Sequence, residues 1–272
     1  MRAMQVNDAL AAARALGVDR LDAQLLLAHL LRQPRAWLLA HGDAELGGAA
    51  VAVQAGLARR AAGEPLAYVL GEWQFRGLDL QVTPAVLIPR PETEVLVDWA
   101  LEVAAGRALD IADLGTGSGA IAIALKRALP QARVLASDAS ADALAVARDN
   151  AARHGATIEF VEGDWWQPLA GRRFDLVVSN PPYIAGDDEH LAALSHEPRG
   201  ALTPEGDGLE ALRRIADGAR AHLRPGGALL LEHGHDQGHA VTKLLTERGL
   251  HAAETRPDLA GLARVSAAFA HE

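Results

Sequence analysis

The run Asp113-Leu114-Gly115-Thr116-Gly117-Ser118-Gly119 decides how the rest of the chain is read. The apolar residues before it make a short buried strand, and Ala120-Ile121-Ala122-Ile123-Ala124-Leu125 behind it continues as a helix. Glycine at every second position lets the backbone approach a ligand closely where strand turns into helix. The spacing is Gly-x-Gly-x-Gly rather than the Gly-x-Gly-x-x-Gly of dinucleotide folds, and no Walker lysine follows. The loop therefore suits a nucleoside that carries no pyrophosphate.

Outward from this loop, strands and helices alternate. The pattern predicts strands over 109–114, 133–137, 157–161, 175–179, 228–232, 250–254 and 264–269. Helices are expected over 118–129, 141–154, 209–223 and 236–248. This is a doubly wound α/β arrangement, with ligands expected at the carboxyl ends of the strands. The connection 255–263 is too short for a parallel crossover, so the last two strands are expected to run antiparallel. Asp138 closes the second strand, roughly 20 residues past the glycines, where an acid takes ribose hydroxyls. Asp164-Trp165 closes the third, where an indole can cover a flat base, and Trp166 competes for that place.

The fourth strand runs into Ser179-Asn180-Pro181-Pro182-Tyr183. Two prolines end the ladder and hold the segment extended, and Asn180 is restricted by the proline that follows it. The elbow offers the Asn180 side-chain carbonyl, the Pro181 backbone carbonyl and the Tyr183 ring. Two acceptors beside a flat apolar face suit a planar group that bears an NH2.

Before the alternation, the chain up to about residue 63 reads as helices. Leu21, Leu25, Leu26 and Ala28-His29-Leu30-Leu31 form an apolar face, and Pro34 opens a short helix with Trp37, Leu38 and Leu39. Gly47-Gly48 interrupt, the pattern resumes over 51–62, and Gly63-Glu64-Pro65 stops it. A β-hairpin follows, Trp73 and Phe75 facing Leu78, Leu80 and Val82 across Arg76-Gly77. In Leu87-Ile88-Pro89-Arg90-Pro91-Glu92-Thr93-Glu94, Pro91 is expected to open a helix, and the flanking prolines fix where Arg90 points. The expected domains are a helical unit over 1–70, a linking hairpin over 71–84 and a catalytic domain over 85–272.

Composition narrows the classes. The 272 residues are half hydrophobic, with no cysteine and a net charge of −9. Disulfides and thiolate metal sites are excluded. Neither a signal-peptide core nor an apolar run of the ~20 residues that span a bilayer is seen, so a cytoplasmic protein is expected. The acidic balance argues against a duplex nucleic-acid substrate. His233, His235 and His239 raise a metal reading, but their spacing across a strand end and a helix start does not favour it, and no metal is expected. Glu197 and Glu232 read equally as supports of a site or as surface acids.

The segment from Asp113 to Tyr183 resembles the S-adenosylmethionine-dependent methyltransferases with seven-stranded sheets, and Asn-Pro-Pro-Tyr those that methylate a planar nitrogen. The hairpin, Ile88-Pro89-Arg90-Pro91-Glu92-Thr93-Glu94, His196-Glu197-Pro198 and Leu231-Glu232-His233-Gly234 are similar to the release-factor glutamine methyltransferases. The resemblance implies N5-methylation of the glutamine in the Gly-Gly-Gln loop of peptide chain release factors. It places S-adenosyl-L-methionine against Gly115, Thr116, Gly117, Ser118 and Gly119, with Asp138 on the ribose, Trp165 by the adenine and Asn180 at the methyl end. It gives catalysis to Asn180, Pro181, Pro182 and Tyr183, with the same four and Arg90 binding substrate. The implied partner is a release factor, with no nucleic acid or membrane, and the chain is expected to work as a monomer; its helical unit reads equally as a partner-docking module or as a stabilising cap. Two other readings stand beside it: an amino-methyltransferase acting on adenine or guanine, and a cofactor-binding adaptor without catalysis.

Overall fold

A computed structural model describes residues 3–272. The chain divides into two compact units, Met1–Glu72 and Trp73–Glu272. The first is all helical: α1 (Val6–Ala15), α2 (Arg20–Leu31), α3 (Arg35–Ala40), α4 (Ala50–Ala61) and α5 (Leu66–Leu70). Helix α2 touches the other four and is the centre of the unit. Asp19 caps it, its carboxylate accepting the Leu21 N–H at 2.7 Å, a cap that contributes about 1 kcal/mol. Its inner face is Ala23, Gln24, Leu26 and Leu27, whereas Leu21, expected on that face, is exposed. Leucine and alanine run almost all round this helix, so periodicity alone does not choose the buried side. Gly56 of α4 packs against Leu26: a Cβ there would stand 2.9 Å from the leucine Cδ2. Helix α5, directly after Pro65, was not foreseen; Pro65 ends one helix and caps the next.

The second unit opens with the hairpin β1 (Glu72–Phe75) and β2 (Leu78–Gln81). The buried Asn150 carboxamide holds β2 by accepting the Gln81 N–H at 2.7 Å and donating to the Gln81 carbonyl at 2.9 Å. Then come α6 (Thr93–Ala104), β3 (Asp110–Leu114), α7 (Ala120–Ala128), β4 (Arg133–Asp138), α8 (Ala141–Arg153), β5 (Glu159–Glu162) and β6 (Phe174–Ser179). The chain closes with α9 (Arg199–Leu202), α10 (Glu210–His222), β7 (Leu223–Glu232), α11 (Gly238–Glu247), β8 (His251–Pro257) and β9 (Ala263–Phe269).

Seven strands form one sheet in the order β5-β4-β3-β6-β7-β9-β8. The first five are parallel, and β9 runs antiparallel to both β7 and β8, as the short final connection requires. Successive residues of each inner strand enter opposite cores. Ile111, Leu176, Val178 and Leu230 pack with α6, α7 and the hairpin; Ala112, Val177, Leu229 and Leu231 pack with α10 and α11. Such two-sided burial is why these strands read as continuous apolar runs.

Most element ends fall within two residues of expectation, and three boundaries have a physical reason for the difference. Helix α6 starts at Thr93, with Pro91 and Glu92 forming a turn ahead of it. Strand β7 begins five residues early, because Leu223 pairs with Phe174 across a register shift beside Gly226 and Gly227. Strand β8 continues to Pro257, since irregularities let it follow β9 further than a regular ladder would. The strand order reverses between β3 and β6, so loops leaving their carboxyl ends diverge and leave a crevice at that point.

Candidate active site

The glycine loop leaves β3 at this switch point and is pinned at both ends. The N–H groups of Gly115 and Thr116 both donate to the Ser137 carbonyl at 2.9 Å, and Gly117 N–H donates to Asp138 Oδ2 at 2.9 Å. Asp138 Oδ1 accepts the Ser140 N–H at 2.9 Å. Burial raises the Asp138 pKa, and the backbone N–H groups around it oppose the rise. Beneath the loop, Asp113 is wholly buried and accepts the Thr116 hydroxyl at 2.7 Å. Burial pushes its carboxyl up to about 7 against the pull of Thr116 and the Ala122 backbone. Gly119 has φ +83°, and a Cβ there would press on Ile123 at 3.0 Å and Ala147 at 3.3 Å; glycine is what brings the start of α7 onto α8.

A cavity of about 380 Å³ lies over this loop, lined by Gly115, Gly117, Asp138, Trp165, Asn180 and Pro182 among others. Thr116, Ser118 and Arg90 also face it, while Gly119 stands behind at the helix start. Trp165 has the unusual φ of +47°, and its ring comes against Gly115, 3.4 Å from where a Cβ would stand. A left-handed backbone at so large a residue stores strain of about 1–3 kcal/mol, of the kind found where a site aims a side chain. Trp166 turns away. Its indole N–H donates to the Ile215 carbonyl at 3.0 Å and its ring stacks on His222 at 4.5 Å. Of the doublet left open in the sequence, Trp165 lines the cavity and Trp166 does not. Asp164 also lines the cavity and pairs with Arg214.

A second cavity of about 350 Å³ is lined by Asn180, Pro181, Tyr183, Glu92, Arg264 and apolar residues. Asn180, Arg90, Leu87 and Ala201 line both cavities. Asn180 donates its side-chain N–H to Thr93 Oγ1 at 3.1 Å, which leaves its carbonyl oxygen as the group free for a ligand. The Tyr183 hydroxyl donates to Glu232 Oε1 at 3.3 Å, and its backbone carbonyl accepts from Gln237 at 2.9 Å. Burial, with Glu232 beside it, raises the Tyr183 pKa, so the phenol stays protonated.

The acids left undecided by the sequence are both buried. Glu232 is pushed up to about 7 by burial, with Thr93, Arg264 and Tyr183 opposing. Glu197 accepts the Ile88 N–H at 3.1 Å and the Arg90 guanidinium, so Arg90 is held by an acid as it faces the cavities. His233 is buried with its ring nitrogens against the Gly234 carbonyl and the Ser266 hydroxyl, each at 2.8 Å, and burial lowers its pKa. Among the described residues no group of three or more His, Asp or Glu could hold a metal ion. Sequence reasoning missed Thr93, Glu92 and Arg264 as site residues. Their only signal was that Thr93 and Glu92 fall in a proline-fixed segment.

The donor set fits S-adenosyl-L-methionine: a glycine cradle for the amino-acid end, a strand-end carboxylate for the ribose diol, and an indole beside the loop for the adenine. Sheet order, switch-point loop and cavity together define a Rossmann-like S-adenosylmethionine-dependent methyltransferase. The family described as Methyltransferase small domain matches residues 92–247, and the PrmC N-terminal domain matches residues 4–71. A release factor glutamine methyltransferase of Bordetella pertussis is 52% identical over 258 residues, 93% of this chain and 96% of that protein. Its namesake in Coxiella burnetii is 45% identical over 252 residues, 92% of this chain and 91% of that protein. The chain belongs to the release factor glutamine methyltransferase family. Among solved structures, the hMettl16 catalytic domain, in complex with an RNA hairpin, superposes with a TM-score of 0.58 at 19% identity, covering 80% of this chain and 82% of that one. The Thermus thermophilus 16S rRNA N2 G1207 methyltransferase, in complex with AdoMet and guanosine, gives 0.57 at 21% identity, covering 74% and 50%. Both share the fold.

Proposed function

We propose that this chain transfers the methyl group of S-adenosyl-L-methionine to the side-chain amide nitrogen of the glutamine in the Gly-Gly-Gln loop of peptide chain release factors. The observation that carries the reading is that Asn180 lines both cavities, so donor and acceptor sites meet at one carboxamide. Gly115, Thr116, Gly117 and Ser118 would hold the cofactor's amino-acid end, Asp138 its ribose and Trp165 its adenine. When bound, the cofactor supplies an electrophilic methyl group.

The remaining work belongs to the acceptor. An amide nitrogen is a weak nucleophile because its lone pair is delocalised into the carbonyl, so alignment is worth much of the barrier. The Asn180 side-chain oxygen and the Pro181 carbonyl accept the two N–H groups of the glutamine amide. Both oxygens become better partners as positive charge grows on nitrogen. Tyr183 packs its ring on the amide plane, and Pro182 walls the cofactor side. Arg90, held by Glu197, shapes the opening shared by the cavities. Glu232 lines neither cavity, so it supports Tyr183 rather than reaching the departing proton. The proton leaves late, to solvent. We place the enzyme in the cytoplasm, working as a monomer and without direct nucleic-acid contact. Its acidic charge supports the absence of nucleic-acid contact. No helix among the described residues is long and apolar enough to cross a membrane.

Labelled cofactor offered with intact release factor, transfer RNA and DNA in parallel tests the reading. Label should enter release factor alone. Asn180→Ala should lower kcat by ~100-fold or more with cofactor affinity intact, as for loss of a donor or acceptor that acts mainly in the transition state. Label in nucleic acid, or full turnover by the variant, would overturn it.

A further inference from the structure

A carboxamide works as an acceptor only when it is turned the right way, and its two ends have nearly the same shape. Something must decide which end of Asn180 faces the acceptor cavity. Asn180 Nδ2 donates to Thr93 Oγ1, and Thr93 is buried in the first turn of α6. A threonine hydroxyl has one proton to give and two lone pairs to offer. Its proton has a buried destination beside it, the Glu232 carboxyl at the end of β7. Glu232 Oε1 already takes the Tyr183 phenol, while Oε2 meets no donor at full hydrogen-bonding geometry and remains open to the neighbouring Thr93 hydroxyl.

We propose that Thr93 and Glu232 are positioning residues that set the orientation of the Asn180 carboxamide and the Tyr183 ring together. This rests on the acceptor role given to Asn180 above. In its ionised form the Glu232 carboxylate has no proton to donate, so the Thr93 hydroxyl then points toward it. The Thr93 lone pairs then face Asn180, which must answer with its NH2 and present its carbonyl to the cavity. The same carboxylate fixes the Tyr183 hydroxyl, so both sides of the amide site hang on one buried acid. Arg264 lies beside Glu232 and favours its ionised form, against burial and Glu92. An aspartate or glutamate on the protein surface has no such directing power, because water supplies alternative donors; here the acid is fully buried.

Full-length Thr93→Val, Thr93→Ser, Glu232→Gln and Asn180→Ala, assayed on intact release factor alongside calorimetric titration of the cofactor, test this. Thr93→Val is nearly isosteric and removes only the relay hydroxyl. Its kcat should fall about tenfold or more, with cofactor Kd and release-factor KM within about twofold of wild type. Thr93→Ser should restore most of the rate. Glu232→Gln puts an NH2 where the relay needs an acceptor, so it too should lower kcat while binding cofactor normally. Thr93→Val at wild-type kcat would overturn the proposal. So would a rate loss matched by lost cofactor affinity, or a serine variant as slow as valine. Asn180→Ala separates the layers. If it turns over normally, the acceptor role itself fails; if it is slow while Thr93→Val is fast, only the orienting relay fails.

Discussion

Asp113 is buried under the glycine loop with the Thr116 hydroxyl on one oxygen and no donor at full hydrogen-bonding geometry on the other. Its folded pKa of about 7 lies above the value near 3.8 of an exposed aspartate. Between those values the folded protein holds a proton that the unfolded chain has released. Stability contributed by this group is therefore full below pH ~4, declines as pH rises toward 7 and is level above, a loss on the order of 4 kcal/mol. Urea midpoints at several pH values should show wild type losing stability across that window relative to Asp113→Asn. Parallel curves for the two proteins would show that the buried carboxyl is not what titrates. Asp113 and Asp138 were visible in the sequence because strand ends and glycine loops carry their meaning locally. Thr93 was not, and Glu232 and Glu197 stayed open between site support and surface acid, since their meaning lies in partners 87, 49 and 107 positions away. The Trp165–Trp166 choice turned on one backbone angle that composition does not encode.

At the scale of elements, the segment before α6 and the one leading into α9 are tied by a buried acid. Glu197 takes the Ile88 N–H and the Arg90 guanidinium, and residues of both segments line both cavities. Glu197→Ala leaves a buried N–H and a partly buried cation without their acceptor, at a cost of roughly 1–3 kcal/mol, lessened because Arg90 reaches solvent. KM for cofactor and for release factor should both rise several-fold, and Glu197→Gln, which can still accept from Ile88, should fall between. Unchanged KM values in Glu197→Ala would mean the two segments hold the cavity walls independently. Parallel strands and long helices were legible because two-sided burial and helical periodicity repeat over many residues. The start of α6, the short α5 and the early start of β7 were not. Each depends on where a neighbouring strand or turn stops the chain rather than on the segment's own pattern.

For the whole molecule, every residue given to the reaction lies in the unit Trp73–Glu272, while the helical unit has its own core and none of the site. A glutamine side chain offers few atoms to grip, so choosing one glutamine in a large protein needs contact area well beyond the amide. None of the residues given to the reaction lies in the helical unit, and we propose that it recruits release factor. The change from helical to alternating period falls near Trp73, where the two compact units divide, whereas a docking surface has no motif to read. Removing residues 1–71 should leave cofactor affinity within about twofold and lower kcat/KM for intact release factor by ~100-fold or more, the scale of losing several kcal/mol of remote binding. A short Gly-Gly-Gln peptide, which lacks that remote surface, should be a poor substrate for the full chain and the shortened one alike. Calorimetric titration of the shortened chain with cofactor establishes that its sheet and loop are intact. If that chain, binding cofactor normally, methylates intact release factor at the full rate, recruitment belongs to the catalytic unit.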